Sequence, residues 1–453
     1  MMEDRKQLWI VDPRGGNQER ARQMGYQIVD LVVNHLSRIE QQPVFQQHLL
    51  PGVPPREGHS WQEVLELLQE HVIPGAMQVA HPRFFGHMDS GPLFVSVLAD
   101  FLTSALNQNM LLWELSPLAT EMERAVITWL CQLSGLPETA GGTLVSGGTA
   151  ANLTGLLLAR QTAPDRNIIL ASNQVHYSVT KVARILGLGT ENVLSVPTDN
   201  QFRLLPSALT ELIEQLPQLP LAVVATAGTT STGSVDPLES IAAICRHYGI
   251  HLHVDAAYGG SALLSPTARM KLSGIDLADS ITLDPHKWML QPKSIAAILV
   301  RSPHHLQKAF STGAPYLART GTPISLGQST FQGSRRWDAL RLWVAWQYLG
   351  EEGFASLIDH TLQLTAYLTQ KVDSHPQLEA AHAPDLNVLC FRLLGEDSRT
   401  EIAQKLLVET GIGFVSLTTL HDRRWFRTVL LNPSITEADI DLVIATLADD
   451  PGK

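Results

Sequence analysis

Lys287 and Asp255 are the two side chains whose type and setting most directly imply chemistry. Lys287 stands in Asp284-Pro-His-Lys-Trp288, just after the short apolar run Ser280-Ile-Thr-Leu283. Asp255 ends a second such run, Ile250 to Val254, within His253-Val-Asp-Ala-Ala-Tyr258. Both runs read as buried strands, which predicts one amine and one carboxylate, each at a strand end. That combination meets the needs of pyridoxal phosphate. The amine forms an imine with the aldehyde, the carboxylate keeps the pyridine nitrogen protonated, and the ring withdraws electrons from a bond at a substrate Cα. The bland alternatives are a surface lysine in a loop made soluble by Asp284 and His286, and an aspartate capping the Ala256-Ala257 turn.

Three further stretches carry groups that such a cofactor could use. Ser146-Gly-Gly-Thr-Ala-Ala-Asn152 follows a strand and precedes the helical segment Leu153–Arg160. A helix N-terminus offers unpaired N–H groups and a positive dipole end, and glycines let an anion approach. A phosphate fits there, with Gly148 and Thr149 donating, although a plain tight turn has the same composition. Neither GxxxxGK[ST] nor GxGxxG is present at this loop, which disfavours nucleotide-binding loops. His176, in Gln174-Val-His-Tyr-Ser178, sits past the strand at Ile168–Leu170, where an imidazole would stack on a cofactor ring or serve structure alone. Ala227-Gly-Thr-Thr230 also follows a strand; its hydroxyls suit a ring hydroxyl or a phosphate, or simply a turn.

The elements that must position these groups follow from periodicity. Thr143–Val145, Asn167–Ala171, Val193–Val196, Leu221–Thr226, Ile250–Val254, Ile281–Asp284 and Ile295–Val300 are strand-length apolar runs separated by helical segments. This pattern predicts an α/β domain with a mostly parallel central sheet covered by helices on both faces. Met24, Ile28, Leu31, Val32, Leu36 and Ile39 form one face of an N-terminal helix. Pro43 to Ser60 reads as an extended connector. Ser60-Trp-Gln-Glu63 is a capping box, and Ser116-Pro117 opens a helix that Gly135 stops. Helices near Ala339–Leu349 and Phe354–Val372, strands at Asn387–Leu393 and Phe426–Leu431, and a last helix near Glu437–Leu447 predict a smaller α+β unit. The expected division is 1–80 helical, 81–345 cofactor-binding α/β, and 346–453 α+β.

Bulk composition narrows the function classes. A chain of 453 residues with 44% hydrophobic and 17% charged residues is globular. Its net charge of −11 argues against nucleic acid or an anionic membrane as partner. Cys131, Cys245 and Cys390 are far apart, show no metal spacing, and read as buried thiols of a reducing compartment. No apolar signal core or membrane-spanning stretch is visible, so no metal, no membrane and a cytoplasmic location are expected.

With these pieces in order, the chain resembles the group II pyridoxal phosphate-dependent amino acid decarboxylases, the family of aromatic-L-amino-acid, glutamate and 2,4-diaminobutyrate decarboxylases. The matching motifs run in family order from about residue 20 to 447: His81-Pro-Arg-Phe-Phe85, Ser116-Pro117, Ser146-Gly-Gly-Thr149, His176-Tyr-Ser178, Gly228-Thr-Thr230, His253-Val-Asp-Ala-Ala-Tyr258, Pro285-His-Lys-Trp288 and Arg335-Arg-Trp-Asp338. The resemblance implies a pyridoxal phosphate-dependent transferase-like fold of the aspartate aminotransferase type (fold type I). It implies Lys287 as Schiff-base lysine, Asp255 as pyridinium partner and His176 stacked on the ring. Gly148, Thr149 and His286 would bind phosphate, and Thr230 and Ala257 would pack around the ring. His81, Phe84 and Phe85 would line the substrate entrance, and Arg427 would meet a substrate carboxylate. The family forms homodimers with the site at the subunit interface and the N-terminal helices clasping the partner.

The activity so implied is decarboxylation of an L-amino acid to an amine and carbon dioxide. The family's mobile loop often carries a tyrosine; here the corresponding stretch 319–330 has none, and Tyr316 lies just before it. Aldehyde formation by oxidative decarboxylation is therefore an alternative, as is another lyase or aminotransferase reaction on the same fold. Arg83 and Arg427 would suit an acidic side chain, Phe84, Phe85 and Trp113 an aromatic one, and Asp89 a cationic one.

Overall fold

The structure is a computed structural model that describes residues 10–46, 56–312, 323 and 325–449. Its centre is a seven-stranded sheet in the order β1-β7-β6-β5-β4-β2-β3. The strands are β1 (Gly141–Val145), β2 (Ile169–Ser172), β3 (Val193–Val196), β4 (Ala222–Thr226), β5 (His251–Asp255), β6 (Ser280–Leu283) and β7 (Ala296–Val300). Alternate side chains of one strand enter different cores. Val223 and Ala225 face a large core with Leu252, Val254, Ile281 and Leu299, whereas Ala222 and Val224 pack with Ile169 and Ala171 beneath a helix. Strands buried on both faces need apolar residues at every position, which is why these runs read as continuous rather than alternating.

The sheet is mostly parallel, as expected, and one strand is the exception. β2, β3, β4, β5 and β6 pair in parallel, but β7 is antiparallel to both β6 and β1. A parallel return needs a crossover, usually a helix, and the connection from Asp284 to Ile295 contains none. This short connection carries Lys287, so the reversal of β7 and the placement of the lysine have one cause.

Helices cover both faces. α1 (Gln18–Leu36), α2 (Trp61–Leu67), α3 (Phe94–Leu106) and α4 (Pro117–Leu133) precede the sheet. The capping box at Ser60 forms as expected, with Ser60 accepting from the Glu63 N–H. α3 has no counterpart among the sequence expectations; its large apolar residues face outward, and Ser96, Ala99 and Thr103 are the ones buried. Between strands run α5 (Gly148–Thr162), α6 (Ser178–Ile185), α7 (Pro206–Gln215) and α8 (Leu238–Tyr248), and α9 (His304–Phe310) follows β7. α10 (Ala339–Ser374) merges the two expected helices across Gly350, whose φ of 63° and ψ of −176° break the helical path.

The second sheet has the order β10-β11-β9-β8 and is antiparallel throughout: β8 (Leu378–Ala380), β9 (Val388–Leu393), β10 (Ser416–Leu420) and β11 (Arg423–Val429). α11 (Asp397–Glu409) and α12 (Glu437–Ala448) complete this unit. Phe85 belongs to its core, and the N–H groups of Phe85 and Val429 donate to Phe414 O and Phe85 O, both at 2.8 Å. Residues 83–86, assigned from sequence to the large unit, thus lie along the small sheet.

Two buried arginines tie the layers together. Arg335 meets Glu123 of α4 through both terminal nitrogens, at 2.7 and 2.9 Å, while Glu123 also accepts from the Leu144 N–H of β1. Arg341, with no exposed surface, donates to Pro292 O, Lys293 O and Ser294 O and pairs with Asp338. It thereby clamps the connection entering β7. No described helix is long and apolar enough to cross a membrane. Cys131, Cys245 and Cys390 are buried and free, and burial pushes each thiol up to about 12. Removing one partner of a buried ion pair strands the other charge. Glu123→Ala is therefore expected to cost about 3–5 kcal/mol in urea unfolding at pH 7; a loss under about 1 kcal/mol would show that Arg335 is solvated in the native state.

Candidate active site

The carboxyl ends of parallel strands form the rim where ligands bind in open α/β sheets. A cavity of about 540 Å³ opens there. Its wall includes Ser146 to Ala150 after β1, His176 after β2, Thr226, Gly228 and Thr230 from β4 onward, Asp255 and Ala257 at β5, and Asp284, His286 and Lys287 after β6. Lys293 and Ser294, held by Arg341, enter from the start of β7. A depression of about 560 Å³ at the opposite end of the sheet, lined by His251 and Asp279, holds none of the expected site residues.

Asp255 forms part of the floor. Its Oδ1 accepts from the Ala257 N–H at 3.1 Å and its Oδ2 from Asn152 Nδ2 at 2.8 Å. Both the turn-capping reading and the cavity reading are thus realised by one carboxylate. Asn152 is the junction of a polar strip between α5 and the sheet. Its Oδ1 accepts from Thr282 Oγ1 at 2.6 Å and from His253 Nε2 at 3.0 Å. His253 Nδ1 then accepts from Ser280 Oγ at 2.8 Å, and Ser280 accepts from His251 Nε2 at 2.9 Å. A side chain at position 155 would collide with His253, its Cβ lying 2.5 Å from Nδ1, so Gly155 is what lets α5 close over the strip.

The same strip sets the tautomer of His176. Asn152 Nδ2 donates to Ser178 Oγ at 2.9 Å, and Ser178 Oγ lies 2.8 Å from His176 Nδ1. With its oxygen already accepting, Ser178 donates to Nδ1, which leaves the ring hydrogen on Nε2. Burial pushes His176 below the usual imidazole range, with Asp255 opposing and Lys287 adding to the shift. At neutral pH the ring is uncharged, as an aromatic stacking partner should be.

Lys287 is placed by its neighbours in sequence. Trp288 is buried, donates from Nε1 to Thr361 of α10 at 3.0 Å and stacks on Tyr258 at 5.4 Å. Tyr258 donates to Asn387 Oδ1 at 2.5 Å. The aromatic residues of the two motifs therefore lock together behind the cavity wall, leaving Lys287 partly exposed in front, its Nζ 3.5 Å from Asp284 Oδ2.

The glycine-rich loop approaches the same corner. A Cβ at Gly148 would stand 2.9 Å from Asp284 Oδ2 and 3.4 Å from the Ala257 side chain. His286 lies 3.6 Å from Asp284 through Nε2, and its Nδ1 donates to Ile295 O at 2.6 Å. Asp284 Oδ1 and Thr226 Oγ1 are buried without a hydrogen-bond partner among the described residues. A helix N-terminus, unpaired polar atoms, an amine and a fixed carboxylate around one cavity fit a phosphorylated pyridine aldehyde.

Other expected residues do not join this wall. His81 is fully buried, accepts from the Arg83 N–H at 3.0 Å, and is pushed down to about 4 by burial, with Arg83 adding. Phe84 stacks on Phe414, and Phe85 sits in the core of the small unit. Neither lines the cavity; apolar packing against the small sheet outweighs exposure at an entrance. Arg427 is buried and donates to Gly86 O at 3.2 Å and to Ser416 Oγ at 3.4 Å. Arg83 is held by Ile412 O and Asp439, and Asp89 by Lys293. Much of 319–330, together with Tyr316, lies outside the described residues. Conversely, Asn152, Ser178, Thr282 and Asp284 sit around the site without having been singled out. All four fall inside stretches already noted; Asn152 meets partners remote in sequence, whereas Asp284 faces Lys287 and His286 of its own connection.

Residues 43–394 match the pyridoxal-dependent decarboxylase conserved domain. The chain is similar to an aromatic-L-amino-acid decarboxylase of Bacillus atrophaeus, 32% identical over 461 residues covering 95% of this chain and 96% of that protein. It is also similar to cysteine sulfinic acid decarboxylase of Rattus norvegicus, 33% identical over 426 residues, 86% of each. Among solved structures, Oryza sativa TDC with PLP and tryptamine superposes with a TM-score of 0.90 at 26% identity, over 97% of this chain and 99% of that one.

The polar strip has a pH signature. Burial pushes His253 down to about 4 and lowers His251 as well. An unfolded chain protonates histidine near 6.5, so between pH 6.5 and 4 it binds more protons than the folded one. Stability therefore falls as pH drops through that window. Denaturant unfolding at pH 7 and 5 should show this fall in wild type and a shallower one in His253→Gln, whatever that variant's stability at pH 7. Equal slopes would mean that His253 is protonated in the fold.

Proposed function

Because the chain belongs to the pyridoxal-dependent decarboxylase family and is a pyridoxal phosphate-dependent amino acid decarboxylase, we propose that Lys287, Asp255 and His176 carry its reaction. The observation that carries this assignment is that all three line one cavity with the N-terminus of α5. Gly148 and Thr149, at that N-terminus, and His286 hold the phosphate; Thr230 and Ala257 pack around the ring. When bound, the cofactor supplies an electron sink for the pair left at Cα as carbon dioxide departs. Lys287, on the cavity wall, would hold the cofactor through its aldehyde. Asp255 would keep a proton on the ring nitrogen; its carboxylate is already oriented by Asn152 and the Ala257 N–H, so no reorganisation is needed during reaction. His176, held by Ser178, would cover one ring face.

The substrate is an L-amino acid and the product its amine. Arg83 and Arg427 are committed to protein partners, and Lys293 on the cavity wall is paired with Asp89, so none of the three is free to select an acidic side chain. A homodimer with the site at its interface is supported by exposed apolar residues on one face of α3, namely Phe94, Leu98, Phe101, Leu102 and Leu106, with Leu118 and Tyr348 also exposed. Tyr177, beside His176, and Phe331 on the cavity wall are exposed too. A cytoplasmic location is supported by the three free thiols.

Purified protein should be yellow, and borohydride should attach the cofactor covalently at Lys287. Supplied with a panel of L-amino acids, it should release carbon dioxide and amine in equal amounts. Lys287→Ala should fall below roughly one-thousandth of wild-type turnover with its fold retained. Borohydride labelling elsewhere, or undiminished turnover, would overturn the assignment, and aldehyde with peroxide in place of amine would overturn the product.

A further inference from the structure

We propose that Asp284 is a carboxylic acid when the cofactor is seated, and that it donates a hydrogen bond to the cofactor's phosphate. This rests on the site assignment above and goes beyond it, since Asp284 is there only as a neighbour of Lys287.

The geometry leaves the carboxyl group poorly served as an anion. Its side chain is 2% exposed. The backbone is set by β6 and by the Asp284 N–H donating to Ala257 O at 3.2 Å. Oδ2 faces two long contacts, Lys287 Nζ at 3.5 Å and His286 Nε2 at 3.6 Å, and Oδ1 has no partner among the described residues. A buried acceptor left unpaired is costly. Oδ2 and Oδ1 are also the atoms against which Gly148 is packed, at 2.9 and 3.3 Å from a Cβ built there. An anion received by the first N–H groups of α5 therefore arrives beside this carboxyl group.

Two anions in contact in a water-poor corner repel, and a single proton between them turns the repulsion into a charge-assisted hydrogen bond. It also gives Oδ1 or Oδ2 the donor function that the empty contact lacks. The titratable groups facing Asp284 are Lys287 and His286 from its own connection and Asp255 from β5. Lys287 is the cation that would keep Asp284 ionised, and committing its amine to the aldehyde withdraws that partner. Burial already raises the Asp284 pKa, with Lys287 and His286 opposing and Asp255 adding. The proton comes from solvent as the phosphate enters, so no other reactant is required.

The test is a proton inventory. Cofactor-stripped full-length protein is titrated calorimetrically with pyridoxal phosphate at pH 8 in buffers of different ionisation enthalpy. Wild type should take up about one proton more than Asp284→Asn, whose amide donates without titrating. The Asn variant should bind at least as tightly, and above the acid's pKa wild-type affinity should fall relative to it by about tenfold per pH unit. Unphosphorylated pyridoxal should show no such difference. The difference in uptake should persist in a Lys287→Ala background, which separates it from titration of the lysine. Equal proton uptake, or much weaker binding by Asp284→Asn, would overturn the proposal and make Asp284 an ionised partner of Lys287. Failure of wild type itself to bind pyridoxal phosphate is a different result, which would remove the site assignment as a whole.

Discussion

The structure depends on keeping one carboxylate, Asp255, fixed at the end of a buried strand. An unpaired charge in that position would be strongly destabilising. The fold meets the cost locally, through the Ala257 N–H, and remotely, through Asn152 on α5. Asn152 cannot serve Asp255 unless its own amide oxygen is satisfied, and Thr282 and His253 do that from β6 and β5. Each partner adds a polar atom that needs a further partner, so the strip extends through Ser280 to His251. Fully satisfied networks of this kind rigidify a core, and incomplete ones weaken it.

That strip also explains why the site has little freedom. Through Ser178, the amide that holds Asp255 sets the hydrogen position on His176. The lysine is held by a separate device, the stack of Trp288 on Tyr258 with its bonds to α10 and to Asn387 of the small unit. A third, the Arg341 clamp, positions Lys293 and Ser294. All three act at the same rim because the parallel strands end there and β7 begins there. The helices thus contribute orientation, and the sheet contributes convergence.

Much of this was legible along the chain because the physics is local. A run buried on both faces is largely apolar, so the seven strands of the central sheet stand out, and the capping box at Ser60 announces its helix. β8 and β10 are short and partly exposed, so neither shows a pattern. The helices on either side of Gly350 are separable by sequence because the glycine interrupts the helical geometry there. For Phe84, Phe85 and Arg427, residue type suggests a pocket, yet packing against the small sheet takes all three away from the cavity wall.

What the sequence by itself determined is the kind of chemistry: an amine and a carboxylate at strand ends, a glycine-rich loop opening a helix, and an imidazole after a strand. These are properties of residue type and near-neighbour spacing, which a linear reading captures. Only the tertiary structure decided which groups share a cavity. Asn152 and Asp255 are 103 positions apart, and Tyr258 and Asn387 are 129 apart. Such contacts are selected by how helices seat on the sheet, and hydrogen bonds across that distance leave no periodic trace in the chain.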